Sequence, residues 1–223
     1  MKIKAFLLTI VVIFSIFTFN SCEKNKKEKD REYDESTVLT AAQELIKKSE
    51  KLNDIYYGYG IEADMADISN ANGNYFPADI LSCEKFGIRN VSEIKKLTRE
   101  CFTEAQSNLM INTVLNSTKD TSGEIINFAR YYQEYDSLNP GEEKCIMVYT
   151  KYKPFLTDKV EYLYDTLRVD GVEGQIIVVE IEVKATNPEG NVQNKKLKIN
   201  LLEEKDGFRL DSPTYARYNQ YQN

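Results

Sequence analysis

From residue 36 onward the apolar positions fall first at helical and then at strand spacing. In "STVLTAAQELIKKSEKLNDIYY", Val38, Ala42, Leu45, Ser49, Leu52 and Tyr56 recur at alternating steps of four and three. Leu39, Ile46 and Ile55 widen the stripe. The pattern predicts an amphipathic helix of five or six turns, opened by Ser36 as N-cap and closed by Gly58. Two shorter helices follow. "NVSEIKKLTRECF" offers Asn90 or Ser92 as cap and Val91, Ile94, Leu97 and Phe102 as its apolar positions. "EAQSNLMINTVLN" is capped by Thr103 and presents Leu109, Met110, Val114 and Leu115. Between the long helix and these two, Asn70, Asn72, Asn74 and Gly73 mark a loop with turns.

After Gly123 the period becomes two. "EIINFARYYQEYD" and "KCIMVYTKYK" are short strand candidates. In "KVEYLYDTLRV", Tyr162, Tyr164 and Thr166 alternate with Leu163, Asp165 and Leu167. In "QIIVVEIEVKA", Val179, Ile181, Val183 and Ala185 alternate with Glu180, Glu182 and Lys184. "NPEG" turns the chain into "KKLKINL", where Leu197, Ile199 and Leu201 alternate with Lys196, Lys198 and Asn200. One register serves both faces of this hairpin. With Ile181 opposite Leu197, Val179 meets Ile199 in the core, while Glu182 meets Lys196 and Glu180 meets Lys198 outside. Asp206-Gly207 makes the next tight turn, into "FRLDSPTY". Helices first and antiparallel strands after give an α+β fold, with N-terminal helices packed on a curved, cone-like antiparallel sheet.

The region before residue 36 has another character. Lys2 and Lys4, the run "AFLLTIVVIFSIFTF" and Ser21 form the charged, apolar and small-residue parts of a secretory signal over residues 1–21. The apolar run is shorter than the roughly 20 residues of a membrane span. Serine directly before Cys22 resembles a bacterial lipoprotein signal, in which the cysteine carries acyl chains such as palmitate and becomes the first mature residue. Phe19 stands where leucine is usual. Residues 22–35 then read as the lipidated cysteine and a charged tether that cannot bury enough apolar surface to fold, and 36–223 as a single domain. This places the protein in the bacterial cell envelope, extracytoplasmic and anchored to the membrane at Cys22.

Charge and composition narrow the chemistry. The net charge is −6, and removal of residues 1–21, with Lys2 and Lys4 and no acid, leaves −8. An acidic domain argues against nucleic acid as a partner. The chain has no histidine, which excludes a Ser-His-Asp triad, a Cys-His dyad and His-metal sites. Cys83, Cys101 and Cys145 allow one disulfide at most, Cys83 and Cys101 being nearest in sequence, and make a poor metal site. No cofactor motif is present, and "GYG" at Gly58–Gly60 reads as a turn.

Fifteen tyrosines and no tryptophan are the unusual feature. Tyr56, Tyr57 and Tyr59 form one cluster in sequence and Tyr131, Tyr132 and Tyr135 another. Both are candidate contact surface for an envelope protein or glycan, because tyrosine gives large rigid contact area at low entropy cost. Asp64 and Asp67, three apart, read either as a carboxylate pair or as solvated loop residues.

The long N-terminal helix, the helix ending at Phe102-Thr103, the short helix after it and the terminal "DGFRLDSPTY" (Asp206–Tyr215) resemble secreted proteins of the nuclear-transport-factor-2-like, cystatin-like cone superfamily. Among secreted bacterial proteins they look most like the cell-wall DL-endopeptidase inhibitor (IseA-like) family. Phe208 stands where tryptophan is common. The resemblance implies a binding or inhibitory module, with a cell-wall hydrolase as the implied target, and carries no site residue over. The alternative is a cone-fold enzyme or small-ligand binder that uses a buried carboxylate with a tyrosine, here Asp136 or Asp165 with Tyr132 or Tyr164.

Overall fold

The computed structural model describes residues 33–119 and 121–217. The signal, Cys22 and the tether up to residue 32 lie outside the described residues. Helix α1 spans Glu35–Tyr57. Its N-cap is Asp34 rather than Ser36: the Asp34 carboxylate accepts from Thr37 N and from the hydroxyls of Ser36 and Thr37. An aspartate reaches the first-turn amides as a charged acceptor, so it outcompetes the serine two residues on. Tyr33, assigned to the tether from sequence, packs against the core. The predicted stripe is otherwise intact: Val38, Ala42, Leu45, Ser49, Leu52 and Tyr56 are all buried.

The segment read as loop contains more structure than its turn residues announce. Asn72 to Tyr75 is a tight turn with Gly73 at φ 61°. It leads into strand β1, Tyr75–Pro77, and helix α2, Ile80–Phe86. Helix α3, Val91–Cys101, is capped by Asn90, and helix α4, Glu104–Val114, by Thr103. Of the predicted apolar positions, Val91, Ile94, Phe102, Met110, Val114 and Leu115 are buried, and two are not. Leu97 and Leu109 point to solvent, while Thr98, Cys101 and Ile111 are buried.

Strands β2 (Thr118–Lys119) and β3 (Ile125–Asn127) form a small ladder. β4 (Tyr131–Tyr135), β5 (Glu143–Tyr149) and β1 make a three-stranded antiparallel sheet in the order β1-β5-β4. β6 (Lys159–Glu173), β7 (Ile176–Thr186), β8 (Val192–Glu204) and β9 (Gly207–Leu210) make a four-stranded antiparallel meander in chain order. The β7–β8 register is the predicted one throughout, with Ile181 opposite Leu197, Val179 opposite Ile199, Glu180 opposite Lys198 and Glu182 opposite Lys196. The ion pairs do not follow the facing positions of the hairpin: Glu180 binds Lys196 diagonally at 3.3 Å and its β6 partner Arg168 at 2.5 Å, and Lys198 binds Asp170 of β6 at 2.7 Å. The β8–β9 loop is Lys205-Asp206, and Gly207 is already the first residue of β9.

β6 departs from simple alternation. Leu163 faces Glu182 and Arg168 faces Glu180, so four residues of β6 stand against one of β7. Thr166 holds the bulge, donating to Leu163 O and accepting from Glu182 N. Tyr162 before the bulge, Tyr164 and Leu167 within it and Val169 after it can thereby all pack on one core. That core lies between α1, α3, α4 and the inner faces of both sheets, and Ile177, Val179, Ile181, Val183, Ile199 and Leu201 are sealed in it. Each such side chain contributes roughly 1.5–3 kcal/mol of burial. The terminal phrase closes the fold. Leu210 is buried, Thr103 N donates to Leu210 O at 2.9 Å, and Thr103 Oγ1 donates to the Asp211 carboxylate at 2.6 Å. Ser212 Oγ accepts from Asn200 N.

Candidate binding surface

The last carbonyls of α1 set the positions of the first tyrosine cluster. Gly58 N takes Asn53 O and Asp54 O. Ile55 O receives Arg130 Nη1 at 2.8 Å and Tyr131 Oη at 3.2 Å. Tyr56 O receives Tyr152 Oη at 2.9 Å, and Tyr57 O receives the amides of Phe155 and Leu156. The last three carbonyls of α1 thus each have a donor from elsewhere in the chain. Arg130 is buried, with its second Nη on Tyr59 O and its guanidinium over the rings of Tyr152 and Tyr131, 4.1 and 5.0 Å from their centroids. The negative end of the helix dipole faces this cation.

This arrangement corrects the tyrosine reading at two of its six positions. Tyr56 and Tyr131 are core residues and offer no contact surface. The Tyr56 hydroxyl pairs with Thr98 Oγ1 at 2.8 Å, and burial pushes its pKa up to about 12. The Tyr131 hydroxyl accepts from Ile61 N, and burial pushes its pKa upward. Tyr57 is half-buried against Phe155 and Tyr215, at 6.4 and 5.3 Å between ring centroids, and the Arg217 guanidinium lies over Phe155. Tyr59 and Tyr135 are the outward members of the two clusters, 65% and 52% exposed.

Tyr132 belongs to a different assembly on the outer face of the three-stranded sheet. Tyr75 stands opposite Tyr149 on β1 and β5, and its ring meets Tyr132 at 4.9 Å and Tyr149 at 5.1 Å. Phe128 stacks on Tyr149 at 5.1 Å, completing a file of four rings. Asn72 Nδ2 donates to Tyr132 Oη, and Tyr75 Oη donates to Ala129 O. Sequence reasoning missed Tyr75, Tyr149 and Phe128. The one legible signal was the alternation of Cys145, Met147 and Tyr149, which puts Tyr149 on the face of β5 that carries this file.

Beside this face lies the 61–79 loop, held by its own acids. Asp64 Oδ1 accepts from Ala66 N, and Asp67 caps the turn at Ile68–Asn70 by accepting from Asn70. Hydrogen bonds from Asn70 and Ser69 hold the Asp67 carboxyl below the usual range. Asp64 and Asp67 are therefore spent on local backbone, as the solvated-loop reading expects. Lys144 of β5 donates to Asn70 Oδ1 at 2.7 Å and ties the loop to the sheet. Met65 and Ile68 in this loop, and Tyr59, Ile80 and Leu81 at its two ends, are each more than half exposed, so residues 59–81 concentrate large apolar side chains at the surface. A cleft of about 620 Å³ opens between α2 and the start of β5, with Ile80, Ile88 and Ile146 on its apolar walls.

The carboxylates proposed for chemistry sit outside any such pocket. Asp136 accepts the amides of Leu138 and Asn139 at a turn, which hold its carboxyl below the usual range. Asp165 is exposed on β6. Tyr164 donates to Glu50 at 2.5 Å, and burial together with that bond pushes its pKa upward. The buried acid on the outer side of the large sheet, Glu180, is committed to Arg168 and Lys196. Among the described residues no group of histidine, cysteine and carboxylate side chains could hold a metal ion, and no helix is long and apolar enough to cross a membrane. Comparison with protein-family models, with curated proteins and with solved structures gives no match.

Proposed function

We propose that the protein is a membrane-anchored envelope lipoprotein, lipidated at Cys22, whose folded domain acts as a binding or inhibitory module toward an envelope protein or glycan, with a cell-wall hydrolase as the first target to test. One observation carries the binding reading. Tyr59, Met65, Ile68, Ile80 and Leu81 expose large apolar side chains along one segment, next to the ring file of Phe128, Tyr149, Tyr75 and Tyr132. A domain with its own well-filled core gains nothing in folding from apolar side chains held in water, and their concentration supports a binding surface on this segment. The signal-like residues 1–21 and the serine before Cys22 support the anchor. The carboxylate-and-tyrosine enzyme reading has no support, since Asp136 and Asp165 face solvent or a turn.

The test is site-specific photo-cross-linking in cells with the full chain. Probes at Ile68 and Leu81 are expected to capture a discrete envelope adduct that a probe at Val192, exposed on the β7–β8 hairpin, does not capture. Equal or absent capture at all three positions would sink the binding reading. Unchanged cell-wall hydrolysis on adding the purified protein would sink the inhibitory one.

A further inference from the structure

We propose that Cys83 and Cys145 form a disulfide across the cleft between α2 and β5. The two cysteines line one cleft from opposite sides, the Cys145 thiol resting on Met147 Sδ at 3.6 Å and turning from it to meet Cys83. Ala78 N donates to Ile146 O at 2.8 Å, continuing the β1–β5 pairing, which aligns Asp79 beside Cys145. Asp79 is the N-cap of α2, and Cys83 N returns to Asp79 O, so Cys83 sits one turn above the point where the helix leaves the sheet. Ile80, Cys83, Glu84 and Gly87 then form the helical face of the cleft, and Lys144, Cys145 and Ile146 form the strand face. Both cysteines are half-buried, within reach of small reagents. Cys101, the nearer partner of Cys83 in sequence, is sealed in the core with its thiol donating to Leu45 O at 3.3 Å.

The chemistry assigns each thiol a part. Burial, with the charges of Asp79 and Cys145, pushes Cys83 up to about 11. Burial raises Cys145 as well, and the charges of Glu134 and Asp67 add to it, but the Lys144 ammonium, which Cys83 lacks, pulls the other way. Cys145 is therefore the thiol that attacks first. Its thiolate displaces one sulfur of an external disulfide, giving a mixed disulfide and a free external thiolate. Cys83, deprotonated in turn, attacks the Cys145 sulfur and releases the second external thiol. Two Sγ–H bonds are lost, one Sγ–Sγ bond forms, and the two electrons reduce the external disulfide to two thiols. The closed pair ties α2 to β5 and narrows the cleft. Its formation in cells rests on the envelope placement proposed above, because such compartments are oxidising.

The experiment uses the full chain, purified in detergent, equilibrated with oxidised glutathione, quenched with acid, alkylated and digested for mass spectrometry. The expected product links the Cys83 and Cys145 peptides and is lighter than the two free thiols by two hydrogens. Cys101 is expected to alkylate only after denaturation. C83S is expected to stop at the glutathione adduct of Cys145. Cys83 and Cys145 that both remain alkylatable in excess oxidised glutathione would overturn the proposal, and so would linkage to Cys22, to Cys101 or between copies. A pair that closes in the purified protein but is found reduced when trapped directly from cells leaves the disulfide standing and removes the envelope placement instead.

Discussion

Replacing Arg130 with methionine tests what holds the end of α1. The substitution keeps an unbranched apolar stem between the Tyr131 and Tyr152 rings and deletes the guanidinium. It removes the bond to Ile55 O at 2.8 Å and the bond to Tyr59 O. Hydrogen bonds from a charged donor contribute roughly 1.5–3 kcal/mol each. Stacking on Tyr152 at 4.1 Å adds about 1–2 kcal/mol. Two effects work against these. Tyr131 Oη still donates to Ile55 O, so only Tyr59 O loses its bond to a side-chain donor entirely. The variant is also spared the burial of a cation, though here the helix dipole already offsets part of that cost. The balance is a loss of about 2–4 kcal/mol. With a urea slope of about 2 kcal/mol per molar, the unfolding midpoint falls by about 1–2 M at unchanged slope. Circular dichroism in a urea titration reads this directly. R130K keeps the charge but cannot span both carbonyls, and is expected to recover less than half of the loss. A midpoint for R130M within about 0.2 M of the parent would show that the carbonyl end of α1 needs no cation.

Three further perturbations separate other parts of the fold. Gly60 has φ of 60°, and a Cβ there would meet Tyr131 Oη and Arg130 Nη2, whereas Gly87 at φ 67° has open space around it. G60A is expected to lose more than about 2 kcal/mol and G87A only about 1 kcal/mol in the same titration, and equal losses would remove the argument from close approach. Thr214 Oγ1 pairs with Ser49 Oγ at 2.6 Å and Asn53 Nδ2 at 2.9 Å in a buried site. T214V should lower stability by about 2–3 kcal/mol, because it takes the hydroxyl acceptor from the buried Asn53 amide, while Ser49 Oγ keeps its bond to Ile46 O at 2.7 Å. Tyr56 keeps its proton in the folded state up to about 12, above the ordinary value of 10.0. A folded pKa raised above the unfolded one gives stability that is whole below pH 10 and lost as pH rises through 12, so the melting temperature should fall across that window. A flat melting temperature there would place the Tyr56 hydroxyl in contact with water.

The β7–β8 hairpin was fully legible because two independent constraints, an apolar face and a charged face, accept only one register. Its ion pairs were less so, since long side chains choose diagonal partners: Lys196 reaches Glu180, not the Glu182 that it faces. Helix α2 was invisible for a physical reason. It is two turns long, and its apolar Ile80 and Leu81 lie on the surface, so its spacing carries no core signal. Leu97 and Leu109 misled for the converse reason. Thr98 and Cys101 took the inward positions of α3, the threonine hydroxyl being satisfied by Ile94 O and Tyr56. The tyrosines show why nearness in sequence is a poor guide to a surface. Adjacent residues of a strand point to opposite faces, so Tyr131 went to the core and Tyr132 to the outer file. The partners of Tyr132 came from residues 75 and 149, which no local pattern links.

Thr214 also bears on time. The hydroxyl that completes Ser49 and Asn53 on α1 is made 157 residues after the helix ends, and Leu210 and Asp211 likewise arrive last to meet Thr103. At about 5–20 residues per second, α1 exists for roughly 8–30 s of synthesis before its buried polar face has a partner. During that interval the amino-terminal half has no closed core and stays open to whatever carries nascent chains. The last strand acts as a latch on the whole domain, so a chain cut short before residue 207 is expected to remain an unfolding-competent, protease-sensitive intermediate rather than a smaller folded protein.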